Sequence, residues 1–212
     1  MSLLAKNKGN PMDPIPAGVH IATCYAVIDL GTHFNPKYNK EARKVLLQWE
    51  LPECRAEFVR DNQKVKLPRA ISKRYTLSLG EKANLRKDLE SWRGRKFTAQ
   101  ELAGFDIEAI IGAPCQIQVV HEPGKDGRVY AAIAAIMALP KAMTRPKQEN
   151  PSVHFSFEDA GPKPVLPPGL PDWIAEIIVQ SKEWNRQPIA TAVPASTASK
   201  PAQTETTDDL PF

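Results

Sequence analysis

Between positions 33 and 44 the chain reads HFNPKYNKEARK, so that His33, Phe34, Lys37, Tyr38, Lys40, Arg43 and Lys44 interleave cations with rings. That mixture suits a polyanion carrying flat groups: cations follow phosphates, and each aromatic face stacks on a base for about 1–3 kcal/mol. A second basic stretch holds Arg60, Lys64, Lys66, Arg69, Lys73 and Arg74. A third surrounds the Asp126-Gly127 turn signal and offers Lys125, Arg128 and Tyr130. With a period of two, Arg128 and Tyr130 point the same way, opposite Val129 and Ile133. Plainer readings stand beside these. Phe34 and Tyr38 also suit packing back on the body, since large apolar groups are usually covered. About half of the cations in 60–74 fit an ordinary solvated face.

Other rings and charges are assigned to structure. Trp49 and Tyr75 share parity with apolar neighbours and belong to the core. Trp92 lies on the apolar side of a helical repeat with Leu85 and Leu89. Lys82, Arg86, Lys87, Arg93, Arg95 and Lys96, interspersed with Asp88 and Glu90, read as a solvated helix surface.

Enzyme chemistry finds little support. There is no GxxxxGK[ST] phosphate loop, no strand-ending cluster of acids, and no suggestion of a Ser/His/Asp or Cys/His set. His20, His33, His121 and His154 are scattered without ligand spacing. No catalytic residue, metal site or cofactor is expected. Cys24, Cys54 and Cys115 are odd in number and far apart, so they are read as buried free thiols rather than a disulfide framework. No apolar run approaches the roughly 20 residues of a membrane span. The start, MSLLAKNKGN, does not read as a secretory signal, and a reducing cytoplasm is the expected compartment.

These groups need positioning elements. Residues 18–30 form a long strand apolar on both faces, as in a strand shared by two layers or curled in a small barrel. Residues 31–42 are read as a loop. Arg43 to Leu51 is a second strand, with Val45, Leu47, Trp49 and Leu51 inward and Lys44, Gln48 and Glu50 outward. Residues 52–70 read as irregular. Ser72 to Leu79 is a third strand, with Tyr75, Leu77 and Leu79 on one face. A helix follows and ends at Gly94, and Thr98 with Glu101 forms a capping box for a second, short helix. Strands at 113–122 and 128–139 close the pattern, although the alanines of the second would also suit a helix. The order, three strands, helix, two strands, is that of an OB-fold: a five-stranded Greek-key barrel with its helix between strands three and four.

Four regions result: a loose arm over 1–15, the mainly β OB domain over 16–140, a proline-broken extension over 141–186 and a low-complexity linker with an acidic tip over 187–212. The extension carries one short helix, with Trp173, Ile177 and Trp184 roughly on one side; it is expected to pack on the barrel, and self-association through it stays open. The linker cannot bury enough apolar surface to fold. Charge divides likewise. The first 150 residues hold 24 Lys and Arg against 16 Asp and Glu, a net of +8; the remainder holds 4 against 8, a net of −4. A basic body suits a polyanion, and an acidic tail suits a different partner.

The chain ends DDLPF. Asp208, Asp209, Leu210, Pro211 and Phe212 resemble the acidic, Phe-terminated tip of bacterial single-stranded DNA-binding proteins. The body resembles that family only in topology, which is the condition of divergent phage-encoded members. The resemblance implies sequence-independent binding of single-stranded DNA in phage replication or recombination, inside a bacterial host cell. It also implies recruitment of replication and recombination proteins through the tip, where a ring and an anion on one residue suit an apolar pocket lined by basic groups. No DNA-contact residue transfers from it, nor does an oligomeric state. Two other readings remain: a protein-interaction adaptor built on the same barrel, and a nuclease or recombination accessory factor.

Overall fold

The computed structural model describes residues 13–36, 38–60, 63–161 and 164–185. Five long strands and one short one dominate: β1 (Gly18–Asn35), β2 (Lys40–Arg60), β3 (Gln63–Thr76), β4 (Pro114–Pro123), β5 (Val129–Ala138) and β6 (Val153–Phe155). Helices α1 (Asn84–Arg93) and α2 (Ala99–Ala103) and a 3-10 turn at Ile107–Ile110 lie between β3 and β4; α3 (Asp172–Val179) follows β6. The protein is mainly β. Its sheet is open, in the order β3-β2-β1-β4-β5, with antiparallel neighbours; β6 joins β1 in parallel. No helix among the described residues is long and apolar enough to cross a membrane.

The middle of β1 is buried on both faces because it serves two cores. Register breaks at Tyr25 and Leu30 bend the strand and switch its parity. Ala22, Cys24 and Val27 join Val45, Leu47, Trp49 and Leu51 of β2 in the main core, closed by Leu85, Leu89 and Trp92 of α1. Ala26, Ile28 and Leu30 face the other way, into a second core with Leu46, Phe155, Ile174 and Ile178. The α1 expectations hold in detail: Gly94 ends the helix in the left-handed region at φ 67°, and Thr98 and Glu101 form the capping box of α2.

Several expectations need correction. The loop expected at 31–42 is mostly ladder: β1 and β2 pair as far as Asn35–Lys40, leaving a tight turn. The irregular stretch at 52–70 is a ribbon in which Arg55–Arg60 pairs with Gln63–Pro68. Its prolines mislead because Pro52 falls in a bulge and Pro68 lies on the edge strand beside it, where no ladder bond is forfeited. β3 stops at Thr76, and Leu77 is exposed. The outward face of β2 is not solvated. Glu50 is 0% exposed and Gln48 is buried. Glu50 accepts hydrogen bonds from the Glu149 and Asn150 backbone N–H groups and from Asn150 Nδ2, at 2.7–2.8 Å.

The extension therefore works as a strap across the back of β1 and β2. β6 adds to β1 at Ala26–Ile28, and α3 buries Ile174 and Ile178, not the expected Trp173 face. Trp173 is exposed, while Trp184 packs at the margin of the second core. Ile15, assigned to a loose arm, is 4% exposed and belongs to the main core. Cys24 and Cys115 are buried, whereas Cys54 is only half-buried. Burial pushes the Cys24 thiol up to about 12.

Candidate nucleic-acid interface

β3 is an edge strand, and its sequence places Lys64, Lys66, Arg69, Lys73 and Arg74 along one margin of the sheet. At about 3.3 Å per residue the row spans roughly 33 Å. Their environments differ. Lys66 and Arg74 are exposed and make no side-chain ion pair among the described residues. Lys64 stands 3.6 Å from Glu57 with both side chains largely in solvent, a geometry that holds little charge back. Arg69 donates from Nη2 to the Asp13 carbonyl at 2.6 Å and keeps its charge unpaired. Lys73 is held by Asp88 at 2.8 Å. Asp88 also accepts from the Tyr75 hydroxyl, and burial followed by that carboxylate pushes the Tyr75 pKa far up.

Two concavities border this row. Near the start of β2 and the end of β3, Lys44, Lys73 and Arg74 meet Lys82 and Glu81 around a hollow of about 550 Å³. Lys44 donates to Thr76 Oγ1 at 2.6 Å. Lys82 was assigned to solvated helix surface. It enters because the chain turns back at Gly80–Ala83, and no sequence pattern linked it to Lys44.

The second hollow, of about 530 Å³, lies in the seam between the free edges of β3 and β5. Arg69 to Ser72 line one wall, Arg128 to Ala131 the other, and Asp13–Ile15 the floor. His121 Nε2 bonds to the Ile15 carbonyl at 2.8 Å and fixes this floor. The seam thus joins Arg69 to Arg128 and Tyr130, from two stretches far apart in sequence. Tyr130 is half-exposed and its ring packs against Gly124, where any Cβ would collide with it. Its hydroxyl donates to Asp126 at 2.6 Å. That bond, with the Arg128 N–H, holds the Asp126 carboxyl below its ordinary value and raises the Tyr130 phenol. Arg128 Nε is 3.8 Å from the same carboxylate and 66% exposed. Lys125 stands exposed on the turn.

Not all predicted residues come together. Phe34, Tyr38 and Lys40 are exposed, Phe34 at 59% and Tyr38 at 64%, at the tip of the β1–β2 hairpin. Arg43 is a correction: its guanidinium is clamped by Asp29 at 2.6 Å and Glu158 at 2.7 Å. Asp29 is 7% exposed, and its hydrogen bond to Arg43 pushes the guanidinium pKa up. Arg43 ties β2 to the strap and has no charge to spare. Trp49 is 0% exposed, so it offers no stacking face; its ring centroid lies 5.9 Å from that of Trp92 in the core. Lys37, the Arg60 side chain and 208–212 lie outside the described residues. Among the described residues no three His, Cys, Asp or Glu side chains cluster as metal ligands would.

The arrangement can hold a strand of negative charge along β3 and offer one pinned ring at the seam. No family model matches the chain, and no relative was found among curated proteins.

Proposed function

We propose that the protein binds single-stranded DNA without regard to sequence, on an OB-type barrel, and recruits replication or recombination proteins through Asp208, Asp209, Leu210, Pro211 and Phe212. The strand order β3-β2-β1-β4-β5, with the β3 and β5 edges facing across a seam, is compatible with a partly open five-stranded Greek-key barrel. The observation that carries the reading is the row of cations on β3 meeting Arg128 and Tyr130 across that seam. Phosphate contacts and ring stacking read no base edge, so binding tolerates any sequence. The strap covers the back of β1 and β2, which leaves the β3 margin, the seam and the β1–β2 turn for the nucleic acid. The setting follows from the resemblance of the tip: phage DNA metabolism in the cytoplasm of a bacterial host.

The test is fluorescence anisotropy of a labelled thymidine oligomer at two salt concentrations, with duplex as competitor. Tight binding that weakens steeply with salt and ignores duplex is expected. Absence of binding at low salt overturns the reading and leaves the adaptor in its place.

A further inference from the structure

A hollow of about 630 Å³ lies beyond the C-terminal end of β3, between the segment that holds α2 and the 3-10 turn and the strap around β6. Leu79, Leu85, Leu89, Phe105 and Phe155 line it with apolar surface, and Leu77 and Leu102, each 37% exposed, complete that lining toward solvent. Arg43 is the only Lys or Arg among the lining residues, against five carboxylates. Asp29 and Glu158 are held by Arg43. The other three are exposed. Asp106 accepts from the Glu108 backbone N–H at 2.9 Å, Glu108 faces His154 at 3.6 Å, and Asp159 makes no ion pair among the described residues. On a body that is otherwise basic, this groove repels a polynucleotide and suits an apolar segment that carries Lys or Arg.

We propose that the groove takes residues 1–12 of a second copy of this chain, with Leu3 and Leu4 on the apolar lining and Lys6 and Lys8 at Asp106, Glu108 and Asp159. The segment, MSLLAKNKGNPM, offers two leucines and two lysines and contains no acid. Its point of attachment separates a neighbour's groove from the molecule's own. Asp13, the first described residue, is tied through its carbonyl to Arg69, whereas the groove begins at Leu77. The eight residue steps from Arg69 to Leu77 cover roughly 26 Å. Leu4 stands nine residues before Asp13 and reaches about 30 Å only at full extension. Within one molecule the segment would have to run nearly straight along β3, with Lys6 and Lys8 beside the cations of that strand. A neighbouring molecule imposes neither the extension nor the like-charge contact. Donor and acceptor surfaces differ, so the contact is heterologous: each molecule gives a segment to one neighbour and takes one from another. This does not depend on nucleic-acid binding, because no residue of β3 or of the 124–130 hairpin lines the groove.

The experiment is photo-crosslinking of the full chain with benzoylphenylalanine substituted for Leu4. Light and heavy-isotope chains are mixed, so that mass spectrometry separates crosslinks between molecules from those within one. Crosslinks between molecules are expected, to 77–79, 102–108 and 154–159. Their yield should fall severalfold when Glu108→Lys and Asp159→Lys are combined, and recover when Lys6→Glu and Lys8→Glu are added. Both acids are exposed, so the fold survives that change, as circular dichroism would verify. Crosslinks confined to one molecule, crosslinks concentrated on α3 or the seam, no crosslink at all, a yield indifferent to the charge reversals, or no recovery on the second pair would each overturn the proposal.

Discussion

Arg43 and Arg69 lie on adjacent strands with the same charge and opposite duties. Arg43 is fixed between Asp29 and Glu158, while Arg69 bonds only a neutral carbonyl. Arg43→Ala strands the Asp29 carboxylate and should lower stability by about 2 kcal/mol, leaving the salt dependence of oligonucleotide binding unchanged. Arg69→Ala and Arg128→Ala should each reduce the slope of log affinity against log salt by about 0.7 and leave thermal unfolding nearly unmoved. Tyr130→Ala should weaken binding roughly tenfold at any base composition. Anisotropy titrations beside thermal melts separate these outcomes, and an Arg43→Ala protein with normal stability and a shallower slope would reverse the assignment.

At the scale of elements, the strap is the feature that composition disguised. Proline breaks hid β6, yet the extension supplies Phe155, Ile174 and Ile178 to the second core. Its far end is latched where Glu183 accepts from the Thr32 N–H and Thr32 Oγ1, both at 2.6 Å. Gly31 makes room for this latch: with φ 76°, a Cβ there would run into Ser181 and Glu183 Oε2. Gly31→Ala should therefore raise amide exchange in 172–185 while α1 stays protected. Ile178→Ala should cost about 2–5 kcal/mol, with the same local signature if the strap opens before the sheet. The latch is also pH-sensitive. Burial raises the Glu183 carboxyl, but Thr32, its own N–H and Arg43 together hold it below its ordinary value. A carboxyl lowered in the folded state contributes its stability above the unfolded pKa and loses it as pH falls through the folded one. Protection of α3, corrected for intrinsic exchange, should thus be constant near neutrality and decline below the ordinary carboxylate range. Glu183→Gln should abolish that decline.

For the whole molecule, the +8 of the first 150 residues and the −4 of the rest occupy different places. The first is spread along β3 and two basic hollows; the second includes the Asp208-Asp209 pair and Glu183. Asp208→Asn with Asp209→Asn should leave oligonucleotide affinity at low salt within a few-fold while weakening capture of host replication proteins. Pull-down beside anisotropy measures both, and loss of DNA affinity alone would place the tip in the wrong role.

By itself the sequence determined what is local. Hydrophobic spacing of two and 3.6 settled β4 and the buried face of α1, and Gly94 and the Thr98–Glu101 pair marked helix ends, because backbone sterics and near-neighbour hydrogen bonds act over a few residues; at β5 the alanines suited strand and helix alike, and pairing with β4 decided. The charge asymmetry and the chemistry of DDLPF were equally legible. The tertiary structure decided what depends on pairing across the chain. It turned the 52–70 stretch into a ribbon and drew Lys82 to Lys44. It brought Arg69 across a seam from Tyr130, and it spent Arg43 on Asp29. A side chain's type sets its charge, but whether that charge is available depends on which residues, tens of positions away, the fold brings within about 4 Å.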